Sequence, residues 1–172
     1  MRKLLAIFAC LLGFLCTGCS EFDNSRFQWI GTIWKSDEQI SNELFEEIIY
    51  SIQEKDNLSL YKLFTENIKT DMNLDAQISS MLDSWEIEII SWKRVAGTAV
   101  KEVSNGNVME ILMSSYILET SDGLYRVAIE FCIRDEFDEN NIGLMSIYIK
   151  RTNSEYAYWG ENNHGTYVAL IK

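Results

Sequence analysis

The spacing of apolar positions divides the chain into stretches of different character. Leu4 to Cys16 is an apolar run without a charge. It is shorter than the ~20 residues that a membrane-spanning helix needs. The mostly polar segment Ser20–Arg26 follows, and then a second apolar run, Phe27-Gln28-Trp29-Ile30-Gly31-Thr32-Ile33-Trp34. From Ser36 the period is helical. Ser36 and Gln39 have the spacing of a capping box, in which each side chain bonds to the other's backbone N–H. Behind it Ile40, Leu44, Phe45, Ile48, Ile49 and Ile52 form one stripe of an amphipathic helix. Asp56-Asn57 breaks it. A second, shorter helix carries Leu60, Tyr61, Leu63 and Phe64, and a third begins near Asn73 with Leu74, Ile78, Met81, Leu82 and Trp85.

Beyond Trp85 the period falls to two. Glu86-Ile87-Glu88-Ile89 alternates, and the phase slips at Ile89-Ile90, which predicts a bulge or a strand covered on both faces. A strand follows around Val95–Val103. Ser104-Asn105-Gly106-Asn107 is a hairpin turn, because Asn-Gly accepts the two positive φ values of a type I′ turn. Val108–Glu119 is a long strand, apolar on both faces, and Ser121-Asp122-Gly123 turns the chain again. Tyr125, Val127, Ile129, Phe131 and Ile133 then alternate with Arg126, Ala128, Glu130, Cys132 and Arg134. Gly143–Lys150 gives a further strand, and Tyr167–Lys172 a short last one.

Helices followed by a hairpin-linked meander specify an α+β fold. The expectation is three N-terminal helices packed on a strongly curved antiparallel sheet of four to six strands, with Val127, Ile129, Phe131 and Ile133 turned to the helices. The organisation reads as a signal segment at 1–19, a tether and apolar lead-in at 20–35, and one domain at 36–172. Proline is absent, which argues against a Pro-rich linker and a second domain. The lead-in Phe27–Trp34 either grazes a membrane interface, where Trp is favoured, or packs onto its own domain, the more common arrangement.

The first residues have the layout of an export signal. Arg2 and Lys3 precede the apolar run, and small residues close it. Thr17-Gly18-Cys19 resembles the lipobox of bacterial lipoproteins, with Cys16 standing where that pattern has an aliphatic residue. The resemblance implies cleavage before Cys19 and lipid attachment to Cys19. The protein is then held extracytoplasmically on the outer face of the membrane by a diacylglyceryl group, and two acyl chains suffice for stable anchoring. An ordinary cleaved signal or an uncleaved anchor is the alternative.

Charge narrows the partners. The precursor carries a net charge of −11. Cleavage removes Arg2 and Lys3 and no acid, leaving the mature chain two charges more negative. Such a surface argues against nucleic acid, which needs clustered Lys and Arg, and against lying flat on anionic lipid. Of four cysteines, Cys10 and Cys16 leave with the signal and Cys19 is lipidated. Cys132 alone remains, so neither an internal disulfide nor a cysteine-rich zinc site is available.

The run Ile48-Ile49-Tyr50-Ser51-Ile52-Gln53-Glu54-Lys55-Asp56, followed by Leu60-Tyr61-Lys62-Leu63-Phe64, resembles a helix–Lys-Asp–helix–Leu-Phe pattern. That pattern occurs in small bacterial lipoproteins with a domain of unknown function. Asp75-Ala76-Gln77-Ile78 and the strands down to Lys150 fit the same layout, so the likeness spans roughly residues 36–150. It implies a cone-shaped fold similar to the nuclear transport factor 2-like and cystatin-like kinds, in which helices and a curved sheet enclose a pocket. The family brings no catalytic residues.

Candidate chemistry is sparse. His164, the single histidine, sits in the polar turn Gly160–Gly165 near Glu161; with no second histidine, a solvent or structural role outweighs acid or metal chemistry. Asp135–Asn141 offers oxygen ligands for Ca²⁺, yet Gly143 and Ser146 miss the EF-hand spacing, so a solvated loop is the better reading. Glu46-Glu47 falls on the polar side of the first helix. Arg126, Glu130 and Arg134 share a strand face with Cys132; they either line a polar pocket or pair across an exposed sheet, the favoured arrangement. Cys132 lacks a neighbouring base and reads as a passive thiol. No phosphate loop, nucleophile elbow or dinucleotide fingerprint is present.

No catalytic, metal or cofactor residue is assigned. The expected function is a non-enzymatic, surface-tethered binding module for a small apolar ligand or an envelope protein. The alternative is an isomerase- or dehydratase-like enzyme with a buried acid/base group, for which Tyr61, Tyr116 and Tyr125 are the candidates. A purely structural or immunity role is a third class.

Overall fold

The computed structural model describes residues 35–153 and the strand 168–171. Cys19 and the lead-in Phe27–Trp34 lie outside the described residues. Helices α1 (Asp37–Gln53), α2 (Asn57–Leu63), α3 (Glu66–Lys69) and α4 (Leu74–Ser84) come first. Strands β1 (Ile89–Ser104), β2 (Asn107–Thr120), β3 (Gly123–Asp135), β4 (Gly143–Thr152) and β5 (Val168–Ile171) follow. The fold is therefore α+β: helices, then an open sheet in the order β1-β2-β3-β4-β5.

The helices form where capping and periodicity place them. The Ser36 hydroxyl accepts from the Gln39 N–H at 3.2 Å, and the Gln39 side-chain oxygen accepts from the Ser36 N–H at 2.9 Å. Helix α1 ends as the chain turns left-handed at Lys55, where φ is +53°. The Asp56 N–H closes that turn on the Ser51 carbonyl at 2.9 Å. The described α-helices number four where periodicity marks three. The additional one, α3, is a single turn capped by the Thr65 hydroxyl and buries none of its residues, so it leaves no apolar stripe to read.

Strands β1 to β4 are antiparallel neighbours, joined by short connections. Asn105 at φ +51° and Gly106 at φ +86° make the predicted two-residue turn. Strand β1 is one continuous element from Ile89 to Ser104, and residues 85–88 lie outside it. Register shifts between Ile89 and Ser91 and between Arg94 and Ala96 absorb the broken phase. The fifth strand departs from the expected antiparallel sheet, because β5 pairs parallel to β4. Strand direction leaves no mark on side-chain alternation. A connection of a dozen or more residues permits either sense, and residues 153–167 separate the two strands.

The core lies between the helix layer and one sheet face. Val127, Ile129 and Phe131 of β3 are buried in the same cluster as Phe45, Ile48, Leu60, Ile78 and Leu82 of the helices. Ile133 packs at its margin, beyond the register shift at Glu130/Phe131. Phe45 stacks on Tyr116 with ring centres 3.6 Å apart, and the Trp92 ring meets both edge-on at 5.2 and 5.6 Å. At the far end of the helix layer, the Thr65 N–H donates to the Leu144 carbonyl at 3.1 Å, joining the end of α2 to β4.

Candidate functional site

The seam between the first turns of α1 and strands β1 and β2 gathers a polar cluster. Helix α1 presents Glu38, Ser41 and Asn42; β1 presents Arg94; β2 presents Ser114 and Tyr116. In the sheet Arg94 lies opposite Tyr116 and Gly97 opposite Ser114. The extra residue of the bulge between Arg94 and Ala96 puts Arg94 and Gly97 on the same face.

The contacts run from sheet to helix. The Ser114 hydroxyl donates to the Ser41 hydroxyl at 3.0 Å, and both residues are buried. The Tyr116 hydroxyl donates to Asn42 Oδ1 at 3.1 Å. Arg94 Nε and Nη2 reach Ser114 Oγ at 3.5 and 3.4 Å, and Arg94 Nη1 lies 4.0 Å from a Glu38 carboxylate oxygen. The guanidinium lies across Gly97, where a Cβ would come within 1.6 Å of Arg94 Nη2. A glycine inside a strand often marks such a close approach.

Electrostatics fix the protonation states. Burial pushes the Tyr116 hydroxyl up to about 12, although Arg94 and Ser114 beside it act in the opposite sense. Tyr116 is therefore neutral at physiological pH. The seam offers a fixed positive charge, neutral hydroxyls and an aromatic wall. A phenol held this far above neutrality is a poor base, so the set suits recognition better than proton abstraction.

The other tyrosine candidates are bonded elsewhere. The Tyr61 hydroxyl donates to the Lys69 carbonyl at 3.1 Å, and the Tyr125 hydroxyl to Asp122 Oδ2 at 3.3 Å. Glu46 and Glu47 are exposed. Arg126 and Glu130 are half-buried rather than exposed, on the sheet face turned from the helices. In the sheet Arg126 lies opposite Ile117, and Tyr148 opposite the intervening Ala128. Glu130 accepts from the Ser146 hydroxyl at 3.0 Å, and Arg134 pairs with Glu136. Cys132 is buried, and burial raises its thiol to about 11, far from a reactive thiolate. His164 lies outside the described residues.

The acidic loop is a structural clasp. Asp135 Oδ1 accepts from the Phe137 and Asp138 N–H groups at 2.8 and 3.1 Å, and its Oδ2 from the Asn141 side chain at 2.9 Å. Asn67 donates to Asp138 Oδ2 at 2.9 Å and to Asn141 Oδ1 at 2.7 Å, which ties α3 to the loop. The side-chain oxygens of Asp135, Asp138 and Asn141 all accept N–H donors. Among the described residues no group of three or more His, Cys, Asp or Glu is placed to hold a metal. Burial of Asp135 disfavours its charge, but the bonds from Asn141, Asp138 and Phe137 outweigh this and hold its pKa below the ordinary 3.8. A depressed carboxyl contributes stability above its unfolded pKa and loses it as pH falls through the folded one. Asp135→Asn is therefore expected to cost about 1–3 kcal/mol at pH 7. In denaturant titrations, the gap from wild type should narrow as pH falls below 3.8. A gap that stays constant down to acid pH would contradict the assignment.

The sequence profile of one family matches residues 47–154. The chain belongs to the domain of unknown function DUF5104. The DUF5104 match takes in Arg94, Gly97, Ser114 and Tyr116, whereas Glu38, Ser41, Asn42 and Phe45 precede it. No curated protein matches the chain.

Sequence reasoning did not single out Arg94, Ser41, Asn42 or Ser114. The one sequence signal near them is Gly97, a glycine inside a strand pattern.

Proposed function

We propose that this chain is a lipoprotein anchored extracytoplasmically through Cys19, and that its α+β domain binds a small ligand without transforming it. The observation that carries the binding reading is the Arg94 seam: a largely sheltered guanidinium next to a tyrosine held neutral, with Trp92 and Phe45 alongside. These groups recognise a ligand by charge, hydrogen bonding and apolar contact. Helices packed on one face of an open sheet suit the cone-like arrangement of the nuclear transport factor 2-like and cystatin-like folds, and we extend the proposal to that shape. Mass spectrometry of small molecules co-purifying with the full chain tests the reading. A bound compound lost on Arg94→Gln supports it; capture of an envelope protein on intact cells with no small molecule bound overturns it.

The anchoring reading rests on Thr17-Gly18-Cys19. Cells expressing the chain should incorporate labelled palmitate, and Cys19→Ser should abolish the label. Wild-type protein released without lipid would refute anchoring and leave the binding reading untouched.

A further inference from the structure

We infer that the Arg94 seam takes a monocarboxylate with a short apolar body, and that Glu38 occupies its place in the unliganded protein; this rests on the binding reading above. A guanidinium carries five N–H donors in a planar fork that matches a carboxylate bidentately. Arg94 is 20% exposed at its side chain, so much of its hydration is lost. In return it gains contacts of 3.4 and 3.5 Å to the Ser114 hydroxyl, an interaction with the Tyr116 hydroxyl, and a carboxylate only at 4.0 Å, at the outer limit of bonding. Ser114 is not fully available to it either, because that hydroxyl donates to Ser41. A sheltered charge with hydroxyl partners and its Glu38 carboxylate at 4.0 Å has room for a closer, bidentate anion.

Glu38 is 64% exposed at its side chain, and an exposed ion pair contributes little, so it yields readily to an incoming carboxylate. One guanidinium balances one negative charge. On a chain with net charge −11, a dianion such as phosphate meets stronger repulsion. Trp92 lies two residues from Arg94 on the same sheet face, half-buried against Phe45 and Tyr116, and supplies an apolar wall for the body of the ligand.

Gly97 makes the site separable from the fold. Alanine there meets only the far end of the flexible Arg94 side chain, within 1.6 Å of Nη2. Gly97→Ala should move the guanidinium and leave the fold intact. The full chain, labelled with ¹⁵N-arginine in a neutral detergent, is titrated with benzoate, hexanoate and inorganic phosphate while the Arg94 Nε–H signal is followed by NMR. The carboxylates should shift that signal saturably. Gly97→Ala, and Arg94→Lys read by calorimetry, should each weaken binding about tenfold, because each loses a bidentate contact. Arg94→Gln should abolish binding, and Glu38→Gln should tighten it about threefold by removing the competing charge. Thermal melting of each variant verifies that it is folded. Carboxylate binding undiminished by Arg94→Gln or Gly97→Ala, a response to phosphate alone, or no tightening in Glu38→Gln overturns the inference. The co-purification experiment then judges the broader binding reading by itself, because a ligand without a carboxylate would still be found there.

Discussion

Phe45→Ala should lower the free energy of unfolding by about 3–5 kcal/mol, as measured by chemical denaturation. Phe45 is fully buried and stands where the helix layer meets the sheet. Its ring stacks on Tyr116 at 3.6 Å and takes the edge of Trp92 at 5.2 Å, so truncation removes two aromatic contacts and opens a void between two elements. The surrounding groups have little room to collapse. Ile48 and Ile49 lie on the same helix, and Tyr116 is held by its bond to Asn42 at 3.1 Å. A single domain is stable by about 5–15 kcal/mol, so the loss would remove a large share of the total. A loss below about 1 kcal/mol would show that the helix does not seat on the sheet through this ring.

Gly143→Ala should cost about 3 kcal/mol or more, summing backbone strain and overpacking. Gly143 has φ +134°, a conformation that side chains rarely tolerate, and a Cβ there would lie 3.0 Å from the Leu63 carbonyl and 3.1 Å from the Thr65 nitrogen. Those neighbours are backbone, fixed by the Thr65-to-Leu144 hydrogen bond, and cannot swing aside. Gly97→Ala is the contrasting case: its Cβ meets a movable side-chain end. Thermal melting of the two variants should separate a glycine required by the fold from one that makes room for Arg94. Equal melting temperatures would contradict the distinction.

What could be read from the sequence followed from how local the cause is. The Ser36 capping box, the stripe from Ile40 to Ile52, the Asn105-Gly106 turn and the alternation from Tyr125 to Phe131 depend on residues within a few positions, and each forms as read. Helix α3 went unread because one turn with no buried face has no period. The parallel sense of β5 went unread because pairing direction is set over a long connection. The candidate site is the extreme case. Ser114 meets Ser41 across 73 residues, and Tyr116 meets Asn42 across 74, distances that no periodicity spans. In the acidic loop the missed EF-hand spacing was legible, but the bonds from Asn67, Asn141 and backbone N–H groups to its side-chain oxygens were not, because they too depend on coordinates.

The short connections of the meander set how the molecule can assemble. Each hairpin brings its strands together over a few residues, whereas seating α1 on β2 closes a loop of more than 70. Closure entropy grows with loop length, by about 0.6 kcal/mol for each doubling in a flexible chain. The meander can thus zip from its turns without help, while docking of the first helix waits for contacts more than 70 residues away. Arg94 and Ser114 ride on the part that assembles locally; Glu38, Ser41 and Asn42 ride on the part that arrives across the long loop. Whatever bridges the two at the seam acts as a clasp on a long-range joint, so occupancy there would favour the docked helix over its detached form by mass action.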